Sequence, residues 1–108
     1  MIDRIATHFP ERVVDNEELA PLYPGWTADK IFEKTGIRQR HVVRDDECAS
    51  DLAAAAAEKL LSQYDRAQVG FLLFCTQSPD YLLPTTACLL QHRLQSAIYL
   101  RLQIRQLQ

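Results

Sequence analysis

The sequence predicts an α/β fold in which helices pack on a sheet, and three observations carry that prediction. Residues Asp51–Tyr64 hold the run Ala53–Ala57 and repeat Leu52, Ala56, Leu60 and Tyr64 at four-residue spacing, the pattern of a helix with one packing face. Residues Val69–Cys75 are continuously apolar apart from Gly70, which suits a strand covered on both faces. Strand-like and helix-like segments then alternate along the chain, as layered α/β architecture requires.

Taken in order, Ile2–Phe9 reads as an opening strand that Pro10 ends, since proline cannot donate to a ladder. Asn16 is placed to cap a short helix, with Glu17 and Glu18 favourable at its positive end. Pro21, Pro24 and Gly25 break it. A second helix follows from Ala28 to Lys34, opened by Trp26 or Thr27, anchored by Ile31 and Phe32, and stopped by Gly36. Ile37–Val43, β-branched residues among arginines, suits a short exposed strand. Ser50 is the expected cap of the alanine-rich helix, Ser78–Tyr81 a turn, and Thr85–Leu94 a final helix after Pro84.

The 108 residues are 47% hydrophobic and 24% charged, which excludes a disordered chain, and are sized for one domain or part of one. A chain of this length buries roughly 65% of its unfolded surface. The net charge of −2 gives no reason to expect nucleic acid or an anionic membrane as partner. Cys48, Cys75 and Cys88 are odd in number and lack C-x-x-C spacing, as free thiols of a reducing cytoplasm do. The opening residues do not read as a secretion signal, so none is expected, and no apolar run approaches the ~20 residues that span a bilayer. A cytoplasmic location is therefore expected. His8, His41 and His92 are too scattered for a metal site, so no metal is expected.

Charge is unevenly distributed. Residues 1–90 carry nine Lys/Arg against fourteen Asp/Glu, a balance of −5, whereas residues 91–108 carry three arginines and no acid, +3. The segment from Gln95 to Gln108 also lacks Gly and Pro and holds four glutamines, Gln95, Gln103, Gln106 and Gln108. Residues 1–94 therefore form one domain-like part and 95–108 a distinct tail. Either a frameshift or similar gene disruption near residue 94 produced the tail, or it diverged while keeping a strand pattern. Ile98, Leu100, Leu102 and Ile104 alternate with Tyr99, Arg101, Gln103 and Arg105 at period two.

Lys34-Thr-Gly-Ile-Arg-Gln-Arg-His41 resembles the K/R-T-G-I-x-x-R-H segment of the β-ketoacyl-acyl-carrier-protein synthase III family. Four further stretches agree in order and spacing: Phe9–Asn16, Ala49–Ala53, Cys75–Tyr81 and Leu83–Gln91. The resemblance implies a partial thiolase-like layered core, the incomplete amino-terminal half, with a mixed sheet and packed helices. It also implies an acyltransferase of fatty acid biosynthesis. Such enzymes move an acyl group from coenzyme A to a cysteine and condense it with malonyl-acyl-carrier protein, releasing carbon dioxide. The family's nucleophilic cysteine, histidine and asparagine lie after the part that matches here, so no catalytic residue is expected in this chain and activity alone is not.

By the same resemblance, Lys34, Arg38 and Arg40, with Trp26 nearby, are candidates for a coenzyme A or carrier entrance, where cations meet phosphate. A solvated basic face is the plainer alternative. The family's adenine-stacking tryptophan is replaced by Lys30, and Trp26 lies four residues earlier. Leu83 aligns with a position that reaches into the acyl pocket of a partner subunit, core packing being its alternative. Cys88 and Cys75 are expected to be buried packing residues, and Cys48 to lie near the surface. No bound cofactor is expected, coenzyme A thioester being substrate. Expected partners are a second copy and acyl-CoA or acyl-carrier protein. The competing account is a small self-associating or carrier-binding module without catalysis, held together by an open apolar face.

Overall fold

A computed structural model describes residues 1–95 and the backbone of residues 100–105. Among these residues, backbone contacts divide the chain into two units, Phe9–Asp46 and Met1–His8 with Glu47 onward.

In the unit Phe9–Asp46, strand β1 (Arg12–Asp15) runs directly into helix α1 (Asn16–Leu19). A 3-10 turn at Ala20–Leu22, helix α2 (Ala28–Thr35) and strand β2 (Gln39–Val42) follow. The two strands pair antiparallel, with Val14 opposite Arg40 and Arg12 opposite Val42. Val14 and Ile31 are the buried apolar residues of this unit. The segment between Thr27 and Gly36 forms as its local chemistry dictates. The Thr27 hydroxyl accepts the Lys30 amide at 3.2 Å, and Gly36 ends the helix at φ 70°, where its amide bonds the Phe32 carbonyl at 2.7 Å.

Gly36→Ala is expected to lower stability by about 1 kcal/mol, because a Cβ is strained in the left-handed region. No atom lies within 4 Å of that added Cβ, so conformation alone sets the effect. Gly36→Asn recovers part of the loss; equal urea midpoints for all three forms would contradict this account of the helix end.

Two expectations for this region are corrected. Asn16 is not the cap of α1: Asp15 is, its carboxylate accepting the Glu18 amide at 2.9 Å, while Asn16 is turned inward and buried. Phe32 is not a core anchor of α2, since its ring is exposed and lies under the Arg38 guanidinium.

The other unit holds helix α3 (Ala49–Leu61), a 3-10 turn at Arg66–Gln68, strand β3 (Phe71–Thr76), helix α4 (Thr86–Arg93) and strand β4 (Leu100–Arg105). Strands β3 and β4 pair parallel from Phe71–Leu100 to Thr76–Arg105. Helix α4 packs on α3 and on both strands. Ala54, Ala87, Leu90 and Leu94 are the buried apolar centre, with Thr86 fully enclosed. Of the tail residues singled out for alternation, Ile98 and Tyr99 lie outside the described residues, as do 96, 97 and 106–108.

Residues Ile2–Phe9 form no strand. A strand exists only where a neighbour completes its ladder, and this segment is held instead by side chains. Arg4 donates to the Gln63 carbonyl at 3.2 Å and Lys59 to the Thr7 carbonyl at 2.8 Å. Ile2 and Ile5 remain 80% exposed. Helix α3 starts two residues before its expected first residue and is flanked by Cys48, not capped by Ser50; the Asp51 carboxylate accepts the Cys48 amide at 2.8 Å. Its most buried positions are Ser50 and Ala54, not the Leu52–Tyr64 stripe, and it ends at Leu61 with Tyr64 exposed. Strand β3 is covered on one face only; α4 is the helix packed against it. Its residues alternate, Leu72, Phe74 and Thr76 inward, Phe71, Leu73 and Cys75 outward. Cys75 is consequently exposed, not buried as expected.

Candidate functional site

The basic residues of the Lys34–His41 segment are ordered by α2, the Gly36 turn and β2. Lys34 lies exposed in the last turn of α2, one helical turn after Lys30 and on the same face. The Lys30 ammonium donates to the Gly25 carbonyl at 3.3 Å, just before the exposed Trp26. The Arg38 guanidinium carbon sits 4.2 Å from the Phe32 ring centroid, a cation–π contact of about 0.5–1 kcal/mol at an exposed site. That contact fixes where the Arg38 charge points.

Arg40 behaves differently. Its Nη2 donates to Asn16 Oδ1 at 2.7 Å, and Asn16 Nδ2 donates to the Ile37 carbonyl at 2.8 Å, so one buried amide ties β2 to α1. Arg40 Nη1 is buried and has no hydrogen-bond partner among the described residues. Next along β2, His41 Nδ1 lies 2.6 Å from the Pro10 carbonyl and the imidazole stacks at 5.3 Å on Phe9. A carbonyl oxygen only accepts, so Nδ1 carries the proton. The sequence placed Lys34, Arg38 and Arg40 in one patch. The structure leaves Lys34 in solvent, fixes Arg38 over a ring and gives Arg40 an interior task. Asn16 is the residue sequence reasoning misread; its partner lies 24 positions away, and no local signal announces it.

In the other unit, Leu83 is 82% exposed, in the loop with Tyr81 and Leu82 that precedes α4. Cys88 is half-buried and its sulfur lies 3.3 Å from the Thr85 hydroxyl, which donates to it. Cys48 is exposed beside α3. Further polar contacts between distant residues order this unit. Asp80 Oδ1 accepts the Ser50 amide at 3.1 Å, and its own amide donates to Thr86 Oγ1 at 3.3 Å. Arg66 forms a two-pronged pair with Glu58 and donates to the Leu94 carbonyl at 2.7 Å, closing the end of α4. Arg93 meets Asp51 at 2.6 Å. No three His, Cys, Asp or Glu side chains converge on a cation position among the described residues.

The Arg93 hydrogen bond, aided by the Cys48 amide, holds the Asp51 carboxyl below its ordinary value of 3.8. Asp51 therefore ionises at lower pH folded than unfolded. Its stabilising effect is complete above about pH 4 and fades as pH falls through the folded value. Asp51→Asn is expected to flatten the acid limb of the stability profile below pH 4 while lowering stability at pH 7. Superimposable acid limbs for the two proteins would rule that out.

No family profile matches the chain. Its fold, however, recurs in solved condensing enzymes of thiolase-like architecture, and this partial α/β core is of that class. A crystal structure of a 3-oxoacyl-(acyl-carrier-protein) synthase III is 49% identical, with a TM-score of 0.81 over 95% of this chain and 32% of that one. The Thermus thermophilus synthase III is 33% identical at the same TM-score, over 94% and 32%. Among curated relatives, the β-ketoacyl-[acyl-carrier-protein] synthase III of Koribacter versatilis is 41% identical over 95 residues, which is 86% of this chain and 28% of the relative. That of Streptococcus suis is 40% identical over 83% and 28%. The chain belongs to the β-ketoacyl-acyl-carrier-protein synthase III family, of whose curated members it spans about three tenths. No helix among the described residues is long and apolar enough to cross a membrane.

Proposed function

We propose that this chain is a fragment of a 3-oxoacyl-acyl-carrier-protein synthase III-like condensing enzyme that supplies part of the substrate entrance and is inactive by itself. The observation that carries this reading is the pairing of a close match over 95% of the chain with coverage of only 32% of the matched synthase. In the whole enzyme an acyl group would leave coenzyme A for a cysteine sulfur, releasing the coenzyme thiol. Malonyl-acyl-carrier protein would then lose carbon dioxide, and the resulting carbanion would attack the acyl-cysteine thioester and expel the cysteine thiolate. A cysteine attacks a thioester only as thiolate, which needs an adjacent base or a favourable field. Cys88 has instead a hydroxyl donor and partial burial, which suit a packing role.

Lys34, Arg38 and Trp26 are the residues of this reading that solvent reaches, and phosphate groups of coenzyme A or of the carrier's prosthetic arm are the ligands their chemistry fits. Leu83, exposed on its loop, would enter a partner's acyl pocket. Homodimer formation, a cytoplasmic setting and acyl-carrier protein as partner belong to the same reading of the whole enzyme.

Incubation with labelled acetyl-coenzyme A is expected to leave no protein-bound label, and addition of malonyl-acyl-carrier protein no condensation product. Label on a cysteine that disappears with Cys88→Ser would overturn the inactivity. Coenzyme A binding is expected to weaken about fivefold in Lys34→Ala, the scale of one exposed cation–phosphate contact. An unchanged dissociation constant would leave Lys34 as an ordinary surface charge. Sequencing the gene from the Pro84 codon through several hundred bases past the stop tests the origin of the tail. A frame restoring a glycine, a strand and a cysteine segment after Leu94 is the expected result.

A further inference from the structure

Asp80 lies in the loop between β3 and α4 and is bonded to the first turn of both helices of its unit. Its Oδ1 accepts the amide of Ser50, the second residue of α3, at 3.1 Å. Its own amide donates at 3.3 Å to Oγ1 of Thr86, the first residue of α4. The first amides of a helix have no carbonyl partner within it, and the positive helix end favours a carboxylate there. Ser50 and Thr86 are both buried, so water is a poor substitute for either bond. The neighbouring Cys48 amide is met from within α3 by Asp51, whereas the Ser50 amide is met from 30 residues away. The entry to the loop is fixed as well, the Ser78 amide donating to Thr76 Oγ1 at 3.1 Å. Directly after Asp80 come Tyr81, Leu82 and Leu83, which are 62%, 80% and 82% exposed. A residue held from two sides, followed by three large apolar side chains in solvent, is how a rigid root presents a contact loop. A loop held in this way has less freedom to lose when it meets a partner.

We propose that Asp80 is a positioning residue: by joining the loop to the starts of α3 and α4, it sets the direction in which Leu82 and Leu83 leave the protein. It acts through the loop and touches no ligand itself. For its use, the proposal rests on the reading above in which Leu83 enters a partner's acyl pocket; for its geometry, it does not.

Chymotrypsin reads the hold on this loop, because it cuts after Tyr81 and Leu82 while Pro84 shields the bond after Leu83. Cleavage within a folded unit needs local opening, so its rate follows how firmly the root is tied. Asp80→Ala is expected to raise cleavage after Tyr81 and Leu82 about tenfold, and Thr86→Val about threefold, the scales of a charged and a neutral hydrogen bond. Asp80→Asn keeps an Oδ1 acceptor and should restore most of the protection. Asp51→Ala is the control for stability alone. It loosens the same first turn of α3 at the Cys48 amide and at Arg93 without touching the loop, and should change these rates by less than about twofold. Tyr64, 44% exposed beyond the other end of α3, is the internal reference, and cleavage after it should not change in any variant. Equal rates after Tyr81 and Leu82 in the wild type, Asp80→Ala and Thr86→Val overturn the proposal. So does a rise after Tyr64 that matches the rise after Tyr81, or a loop in Asp80→Asn as labile as in Asp80→Ala. Pairing is read separately by sedimentation velocity: a monomer at every concentration counts against Leu83 entering a partner and leaves the role of Asp80 standing.

Discussion

Leu90→Ala is expected to lower stability by about 3 kcal/mol, more than half of the total for a domain near the low end of the usual range. Leu90 is 3% exposed at the centre of α4, the one helix that touches α3, β3 and β4. Removing its side chain loses the transfer energy of the deleted carbons and opens a cavity, which together cost about 2–5 kcal/mol. Domains near 100 residues have only about 5–15 kcal/mol in total, and one with Phe71, Leu73, Leu82 and Leu83 standing exposed belongs at the low end. The control is Leu82→Ala: the same deletion at 80% exposure should change the urea midpoint by an amount near the error of the measurement. Similar losses at both positions would mean that α4 is not docked as described.

Asn16→Ala is the second large effect, about 2–3 kcal/mol. The substitution removes the acceptor of Arg40 Nη2 and the donor to the Ile37 carbonyl, leaving Nη2 without its partner beside a buried Nη1 that has none among the described residues. Arg40→Met should cost less, because it removes the half-buried charge together with its need for a partner. The double variant should then be more stable than the sum of the single losses by about 1–2 kcal/mol. Strict additivity would show that the Asn16–Arg40 contact carries no energy, and would return Arg40 to the exposed basic patch.

That pair marks the boundary of what was legible. Helix α2 is written locally: a hydroxyl three residues ahead of the amide it binds, and a glycine where the chain must turn left-handed. Helix α4 and the existence of β2, α3 and β3 were legible for similar reasons, since apolar spacing and helix propensity act over a few residues. The start of α3 was less so. Cys48 is a weak cap by composition, and the Asp51 carboxylate that satisfies its amide was hidden behind the better-looking Ser50. Asp80 reaches 30 residues back to the Ser50 amide, and Arg66 28 residues on to the Leu94 carbonyl. Neither contact leaves a pattern in its own neighbourhood.

The sequence by itself determined the order of the elements from α2 to α4, the family through its Lys34–His41 segment and the stretches flanking it, and the limits of α2; the first strand it placed at Ile2–Phe9, whereas β1 is Arg12–Asp15. These depend on backbone preference and short-range hydrogen bonding, which a window of residues contains. Tertiary structure alone decided that Ile2–Phe9 has no ladder, that one face of β3 stays open, that Cys75 is exposed, and that Arg40 turns inward while Lys34 does not. Each of those outcomes depends on whether a distant segment arrives to cover a face or complete a hydrogen bond. An apolar strand reads the same whether its second face is covered or bare, because burial is a property of its neighbours in space.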